Sequence, residues 1–260
     1  VMDKRSYELG NMILQQQNAT AFKFVMNGRT LKFHQPAVIT ITGAAFQPTI
    51  DGQPIPMWRP IQVLAGSILA IGSAKHGMYG YLFVKELDIP QILGSTSTYE
   101  KAGLGKRLQK GDTFHFTPSF TKKVNWSLKQ LNFDKHVTIR VAKGTEYDLF
   151  TEASLEQFFN TPYIVTTEAN RMGYRLQGAP LQQKVQQELL SSAVTYGTIQ
   201  VPPNGQPIIL MADRQTTGGY AKIAQVLSTD LSKLAQCAPG TSVLFQLVSL
   251  EEAQASLIRE

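Results

Sequence analysis

The chain has 260 residues, 43% of them hydrophobic and 17% charged, a balance that excludes a disordered chain and leaves room for two cores of ordinary size. Its net charge of +6, from 25 basic and 19 acidic residues, is too mild to demand a nucleic-acid partner. No apolar run approaches the roughly 20 residues of a membrane span, and the first residues lack a basic-then-apolar leader, so a cytoplasmic protein with no membrane partner is expected.

Asp3 is placed to cap a helix running to about Gln16, with Met2, Leu9, Met12 and Ile13 on one stripe. From Ala21 to Val84 the pattern changes to short apolar or alternating runs (AFKFVM, TLKFH, AVITITG, IQVLAG, ILAIG, YGYLFV) broken by Gly, Pro and Asp turns, the spacing of a β-barrel or sandwich. Asp51-Gly52 predicts a hairpin between Phe46 and Met57. The Gly- and Ser/Thr-rich stretch Leu87 to Asp112 is expected to cross the surface near a site. A polar stretch, Thr117 to Lys135, then links to a second unit that starts at His136. In that unit Thr151 caps a helix with Leu155, Phe158 and Phe159 on one face, stopped by Asn160 and Pro162. A further helix is predicted from about Asp230, with Leu231, Leu234 and Ala235 inward. The strand SVLFQLV follows, and Ser249 to Glu252 spells a capping box for a last helix. The fold class expected is mainly β with peripheral helices, in two domains over residues 1–135 and 136–260.

Chemistry-bearing residues are sparse outside one stretch. Cys237 is the single cysteine, so neither an internal disulfide nor a thiolate metal cluster can form, and its apolar flanks predict a buried thiol. His34, His76, His115 and His136 are scattered without metal-ligand spacing. The lysines and arginines at 101, 106, 107 and 110, and at 122, 123 and 129, have few interleaved aromatics. They read as solvated surface rather than a nucleic-acid groove, while still favouring an anionic substrate or an acidic partner.

The exception runs from Thr198 to Val226, TIQVPPNGQPIILMADRQTTGGYAKIAQV. It reads as strand, tight turn at Pro202-Pro203-Asn204-Gly205, buried strand, polar loop and strand. The loop Asp213-Arg214-Gln215-Thr216-Thr217-Gly218-Gly219-Tyr220 packs an acid, a base, an amide, two hydroxyls and a Gly pair together. A Gly pair can turn backbone N–H groups onto an anion as a nest, and Arg214 offers a planar fork for a carboxylate or phosphate. A hairpin loop whose polar groups satisfy one another fits the same composition. Lys222, just beyond, is either a charge for a developing oxyanion or an exposed edge-strand residue. Arg171 and Arg175 could form a ligand clamp or ion pairs. Ser95, Thr96 and Ser97 could bond an amide or carboxylate, or their own backbone.

The wording of this stretch resembles the family of the 5-oxoprolinase C subunit, also called KipA or allophanate hydrolase subunit 2, which is related to the carboxyltransferase domain of biotin-dependent urea carboxylase. The segments Asn170–Leu176 (NRMGYRL), Leu93–Tyr99 (LGSTSTY) and Leu108–Asp112 (LQKGD), and the first helix after Met2-Asp3, are similar to the family's in order. The chain departs from it at Lys85-Glu86 and at Gly103-Leu104-Gly105-Lys106, where members carry a Gly-Gly pair and a longer Gly-rich insert. Members also begin earlier, so segments are expected to be missing here. The resemblance implies two related cyclophilin-like β-barrels, to which the repeated phrase Asp51–Ile55 (DGQPI) and Asn204–Ile208 (NGQPI) adds a hint of duplication.

For function, the resemblance implies the C subunit of an ATP-dependent 5-oxoprolinase, opening 5-oxoproline to L-glutamate with the A and B subunits, the last of them KipI-like. ATP would bind somewhere in the complex, and the substrate is a small anionic amide. Asp213, Arg214 and Lys222 are then the expected catalytic groups. Arg171, Arg175, Ser95, Thr96, Ser97, Gln206, Gln215, Thr216, Thr217, Gly218, Gly219 and Tyr220 are the expected substrate contacts. Two alternatives share the pocket or its surface: the carboxyltransferase component of a biotin-dependent urea carboxylase, with biotin as cofactor, and a KipA-type regulator that antagonises a KipI-like kinase inhibitor. The sequence carries no Walker loop, no GxSxG and no AMKM-like biotin attachment segment.

Overall fold

The computed structural model describes residues 1–99, 102–122, 124, 126–129 and 131–258; Lys101 and Lys123 of the two basic clusters lie outside the described residues. The chain divides into two units, one of Arg5–Lys75 with Tyr79–Leu131, the other of Val1–Lys4 and His76–Met78 with Asn132–Glu260. Strands dominate both, as the turn-punctuated apolar runs predict. Among the described residues no helix is long and apolar enough to cross a membrane.

In the first unit, helix α1 (Lys4–Ile13) precedes strands β1 (Ala21–Val25), β2 (Thr30–Lys32), β3 (Ala37–Gly43), β4 (Thr49–Ile50), β5 (Gln53–Pro54), β6 (Ile61–Val63), β7 (Ile68–Ala70), β8 (Tyr79–Val84), β9 (Leu87–Asp88) and β10 (His115–Phe116). Among the described residues they form two four-stranded sheets, β1-β8-β3-β6 and β2-β7-β4-β5, and the small pair β10-β9, rather than one hydrogen-bonded ring. Every residue of β3 and of β8 is buried, which explains their continuous apolar runs in place of alternation. The core between them gathers Phe22, Phe24, Phe46, Trp58, Leu69 and Leu82. The Asp51-Gly52 hairpin forms as expected, joining β4 to β5 with φ of 51° and 80° at its two turn residues, the positive pair that a two-residue hairpin requires. Asp51 Oδ1 also accepts from the Ile68 amide at 2.8 Å; this bond, with one from Ser67, lowers its carboxyl pKa.

Helix α1 packs on the sheet with Ile13 of the predicted stripe buried and Leu9 against the core, but Met12 of that stripe faces outward. Met12 is 68% exposed, and the buried face carries Ser6, Gly10, Asn11 and Ile13. The cause is a close approach at Gly10, where a Cβ would stand 2.1 Å from the Phe83 ring. A helix set so near a strand turns its smallest residues inward, and the apolar count alone misplaces Met12.

The second unit contains β11 (His136–Lys143), α2 (Glu152–Asn160), β12 (Tyr163–Val165), β13 (Gly173–Gln177), β14 (Ser192–Ala193), β15 (Thr198–Val201), β16 (Ile208–Leu210), β17 (Thr217–Gly218), β18 (Ala221–Val226), α3 (Ser228–Ala235), β19 (Ser242–Leu247) and α4 (Leu250–Ile258). Among the described residues, seven strands close a barrel in the order β11-β18-β15-β16-β13-β12-β19, which leaves those strands no open edge. Phe158 of α2 stacks on Phe245 of β19 at 4.6 Å between centroids. Thr151 caps α2 by accepting from the Ser154 amide at 3.2 Å, and Ser249 and Glu252 exchange the two bonds of a capping box at the start of α4. Leu234 and Ala235 of α3 are fully buried, while its Asp230 is buried in an ion pair with Arg140.

Candidate functional site

The barrel explains why the stretch 198–226 is polar in its middle. β15 and β18 pair, as do β15 and β16, so the chain between β16 and β18 must leave the ring and return. It does so as the loop Asp213–Tyr220, and part of that loop, β17, pairs with β14 to make a short antiparallel ribbon. Gln215, Thr216, Thr217, Gly219 and Tyr220 are exposed, and Val194 N–H donates to the Thr216 carbonyl at 3.1 Å. A cleft of about 440 Å³ borders the ribbon, lined among others by Gly219, Tyr220, Ala221, Gln183, Gln187 and Glu188.

At the loop's entry, Arg171 grips Asp213 with two parallel bonds, Nε to Oδ2 at 2.6 Å and the guanidinium terminus to Oδ1 at 2.7 Å. The Asp213 amide donates to the Arg171 carbonyl at 2.7 Å as well. A fork–fork pair of this kind fixes orientation as well as charge. Held by both oxygens, Asp213 orients the start of the loop. Arg214 follows, half-buried, its Nε donating to the Val194 carbonyl at 3.3 Å.

At the loop's exit stands a second pair. Lys222, whose side chain is only 12% exposed, lies 3.2 Å from Glu146 Oε2 and donates from Nζ to Ser192 Oγ on β14. The same Glu146 oxygen accepts the Lys222 amide at 3.0 Å, and the Glu146 amide donates to the Lys222 carbonyl at 3.2 Å. Gly144 makes this wrap feasible: a Cβ there would meet the Lys222 carbonyl oxygen at 2.1 Å. The pairing of β15 with β18 also slips by one residue here, Ile199 facing Ala224 but Gln200 facing Lys222, and a bulge of this kind re-aims the side chain beside it. Lys222 is therefore held in place rather than solvated.

Several expectations are corrected by this geometry. Gly218 and Gly219 do not form a nest: Gly218 belongs to β17 and neither residue has a positive φ. What favours a glycine at 218 is crowding, since a Cβ would stand 2.5 Å from the side-chain amide of the buried Gln200. Gln206 is not turned toward the loop, because its side chain exchanges two bonds with the backbone of Gly178, at 2.9 and 3.0 Å. Arg175 pairs at 3.0 Å with Glu168, both well exposed, and does not join Arg171 in a clamp. Ser95, Thr96 and Ser97 belong to the other unit, where Ser95 Oγ accepts the Ser97 amide at 3.1 Å and Thr96 bonds Thr20.

Glu146, Ser192 and Gln200 were not singled out by the sequence. Gln200 left a signal, a polar residue inside the buried strand TIQV, where it is 1% exposed and donates to the Tyr220 carbonyl at 3.2 Å. Glu146 left none, because its partner is 76 residues away. Cys237 is buried as its apolar flanks imply, and burial pushes its thiol up to about 12, too high for a thiolate nucleophile at neutral pH. Among the described residues no group of three or more His, Cys, Asp and Glu side chains is arranged to hold a metal.

Comparison with known proteins agrees with this architecture. Residues 1–247 match the family described as carboxyltransferase domain, subdomain A and B. A Haemophilus influenzae protein named as the C subunit of 5-oxoprolinase is 39% identical, the match spanning 97% of this chain and 83% of that one. Its Escherichia coli namesake is 36% identical with the same coverage. Among solved structures, the K. lactis urea amidolyase superposes with a TM-score of 0.88 at 27% identity over 97% of this chain, which spans 17% of that larger one. The chain belongs to the carboxyltransferase domain family, subdomains A and B.

Proposed function

We propose that this chain is the C subunit of an ATP-dependent 5-oxoprolinase, a cytoplasmic complex in which it works with the A and B subunits to open 5-oxoproline to L-glutamate. The observation that carries this reading is the 39% identity over 97% of the chain to a protein of that name. Amide resonance makes a lactam carbonyl a poor electrophile, and phosphorylation of its oxygen by ATP would supply the missing activation. The loop of this chain does not fit the polyphosphate itself, since its Gly pair forms no nest and its two best-held cations, Arg171 and Lys222, already face carboxylates. No ATP step is therefore assigned to its residues.

The loop and cleft suit the other partner, a small planar amide beside a carboxylate. Tyr220 and the Gln183–Glu188 wall would hold the ring, Arg214 would meet the carboxylate, and the Lys222 charge would favour negative charge developing on the amide oxygen. Asp213, clasped by Arg171, would keep the loop in register. Carboxyl transfer from biotin to a urea-like amide is the second reading, favoured by the superposition on the K. lactis urea amidolyase. It asks the same site to stabilise a ureido oxygen.

The deciding assay mixes this chain with its A and B subunits and measures glutamate released from 5-oxoproline and ATP, omitting each component in turn. Activity that requires all of them supports the oxoprolinase. Assembled but inactive partners, together with transfer of carboxylate from carboxybiotin to urea, would replace it with the second reading.

A further inference from the structure

The Lys222 ammonium touches the ribbon at Ser192, yet at 12% side-chain exposure it has little surface with which to touch a ligand. Its ammonium ends on Ser192 Oγ, and Ser192 is exposed on β14, directly opposite Gly218 of the loop. An ammonium only donates, so Ser192 must accept from it, which leaves the hydroxyl proton to donate outward. A hydroxyl polarised by a cation behind it is a stronger donor than one in water, and more so where the cation is withdrawn from solvent. The cleft begins one step away, at Gly219, where a Cβ would already approach the Leu189 carbonyl and Ser191.

We propose that Ser192 is an unassigned catalytic donor, which hydrogen-bonds the amide oxygen of the substrate, with Lys222 as the charge behind it and Glu146 as the positioning residue that holds Lys222. Ser192 keeps its proton in this step; its hydrogen bond to the substrate strengthens as negative charge grows on the lactam oxygen before that oxygen takes the phosphoryl group. Three features of the chain converge on this geometry. The Gly144 approach and the bulge after Lys222 fix the backbone, and the Glu146 carboxylate fixes the ammonium. Of Ser192, Lys222 and Glu146, only Ser192 is exposed.

The proposal rests on the oxoprolinase reading and is tested in the complete three-subunit complex. Ser192→Ala should lower kcat by about 100-fold, the usual loss when one oxyanion donor is removed, with KM for 5-oxoproline nearly unchanged. Ser192→Thr, which keeps the hydroxyl, should recover most of the rate. Glu146→Gln should lower kcat by about tenfold, with complex assembly and melting temperature confirming that the variant chain is folded. A wild-type complex that turns over while Ser192→Ala matches it in kcat overturns the inference alone. A loss confined to KM also overturns it, since that would make Ser192 a ground-state contact. A wild-type complex with no turnover overturns the functional reading and this inference with it.

Discussion

Two ion pairs bracket the polar loop, and they use their charges differently. At the entry, the planar guanidinium of Arg171 meets the Asp213 carboxylate with two parallel bonds, so that pair holds the loop's first residue in place. At the exit, the Glu146 carboxylate shares the ammonium of Lys222 with a neutral hydroxyl, so a donor is passed outward to the surface. The first is a clasp and the second a device for delivering charge. A polar loop at the rim of a barrel thus divides its charged residues between holding its own shape and facing a ligand, and composition alone does not say which residue does which.

The contrast is broken most severely at Gly144. Gly144→Ala drives a methyl into the Lys222 carbonyl, which cannot yield without moving β18, and should cost about 3 kcal/mol, the upper end for overpacking, read as a lowered denaturant midpoint with loss of activity. Next is Arg171→Ala, which strands a partly buried Asp213; about 2 kcal/mol of stability should be lost, the range for a hydrogen bond to a charged group, with the loop opened to proteolysis.

The ribbon offers a finer contrast between adjacent glycines. Gly218→Ala should cost about 1 to 2 kcal/mol by pressing on the buried Gln200, whereas Gly219→Ala, with its nearest neighbour at 3.4 Å, should stay within about 0.5 kcal/mol in the same melts. Arg175→Ala is also mild, since it breaks only an exposed pair and should lose less than about 1 kcal/mol.

These contrasts also mark what the sequence could show. The Asp51-Gly52 hairpin, the Thr151 cap and the Ser249–Glu252 box were legible because each is made within a few residues. The alternation of strand, turn, strand, loop and strand across 198–226 was legible for the same reason. The clasp, the Glu146–Lys222 pair and the Gln206 lock on Gly178 join residues 42, 76 and 28 positions apart, and barrel closure alone brings them together. Gly218 carried a signal with another meaning: a small residue is favoured there for close packing against Gln200 rather than for a nest. Met12 failed because helix periodicity says which residues share a face and not how near that face approaches the sheet.

Cys237 provides a pH control away from both pairs. Its thiol rises from 9.0 to about 12 on burial, so above about pH 9 the unfolded chain releases the proton while the folded one keeps it. Stability should therefore fall as pH climbs from about 9 toward 12, and a thiol reagent should label the native protein only at the rate of unfolding.

Turnover of 5-oxoproline by the assembled complex carrying Lys222→Met in this chain, compared with wild type, tests most directly whether Lys222 supplies the charge behind the reaction. The expected result is an intact complex whose kcat has fallen by about 100-fold or more, the scale of a lost oxyanion contact. Full turnover by that variant, or by the A and B subunits without this chain, would contradict it.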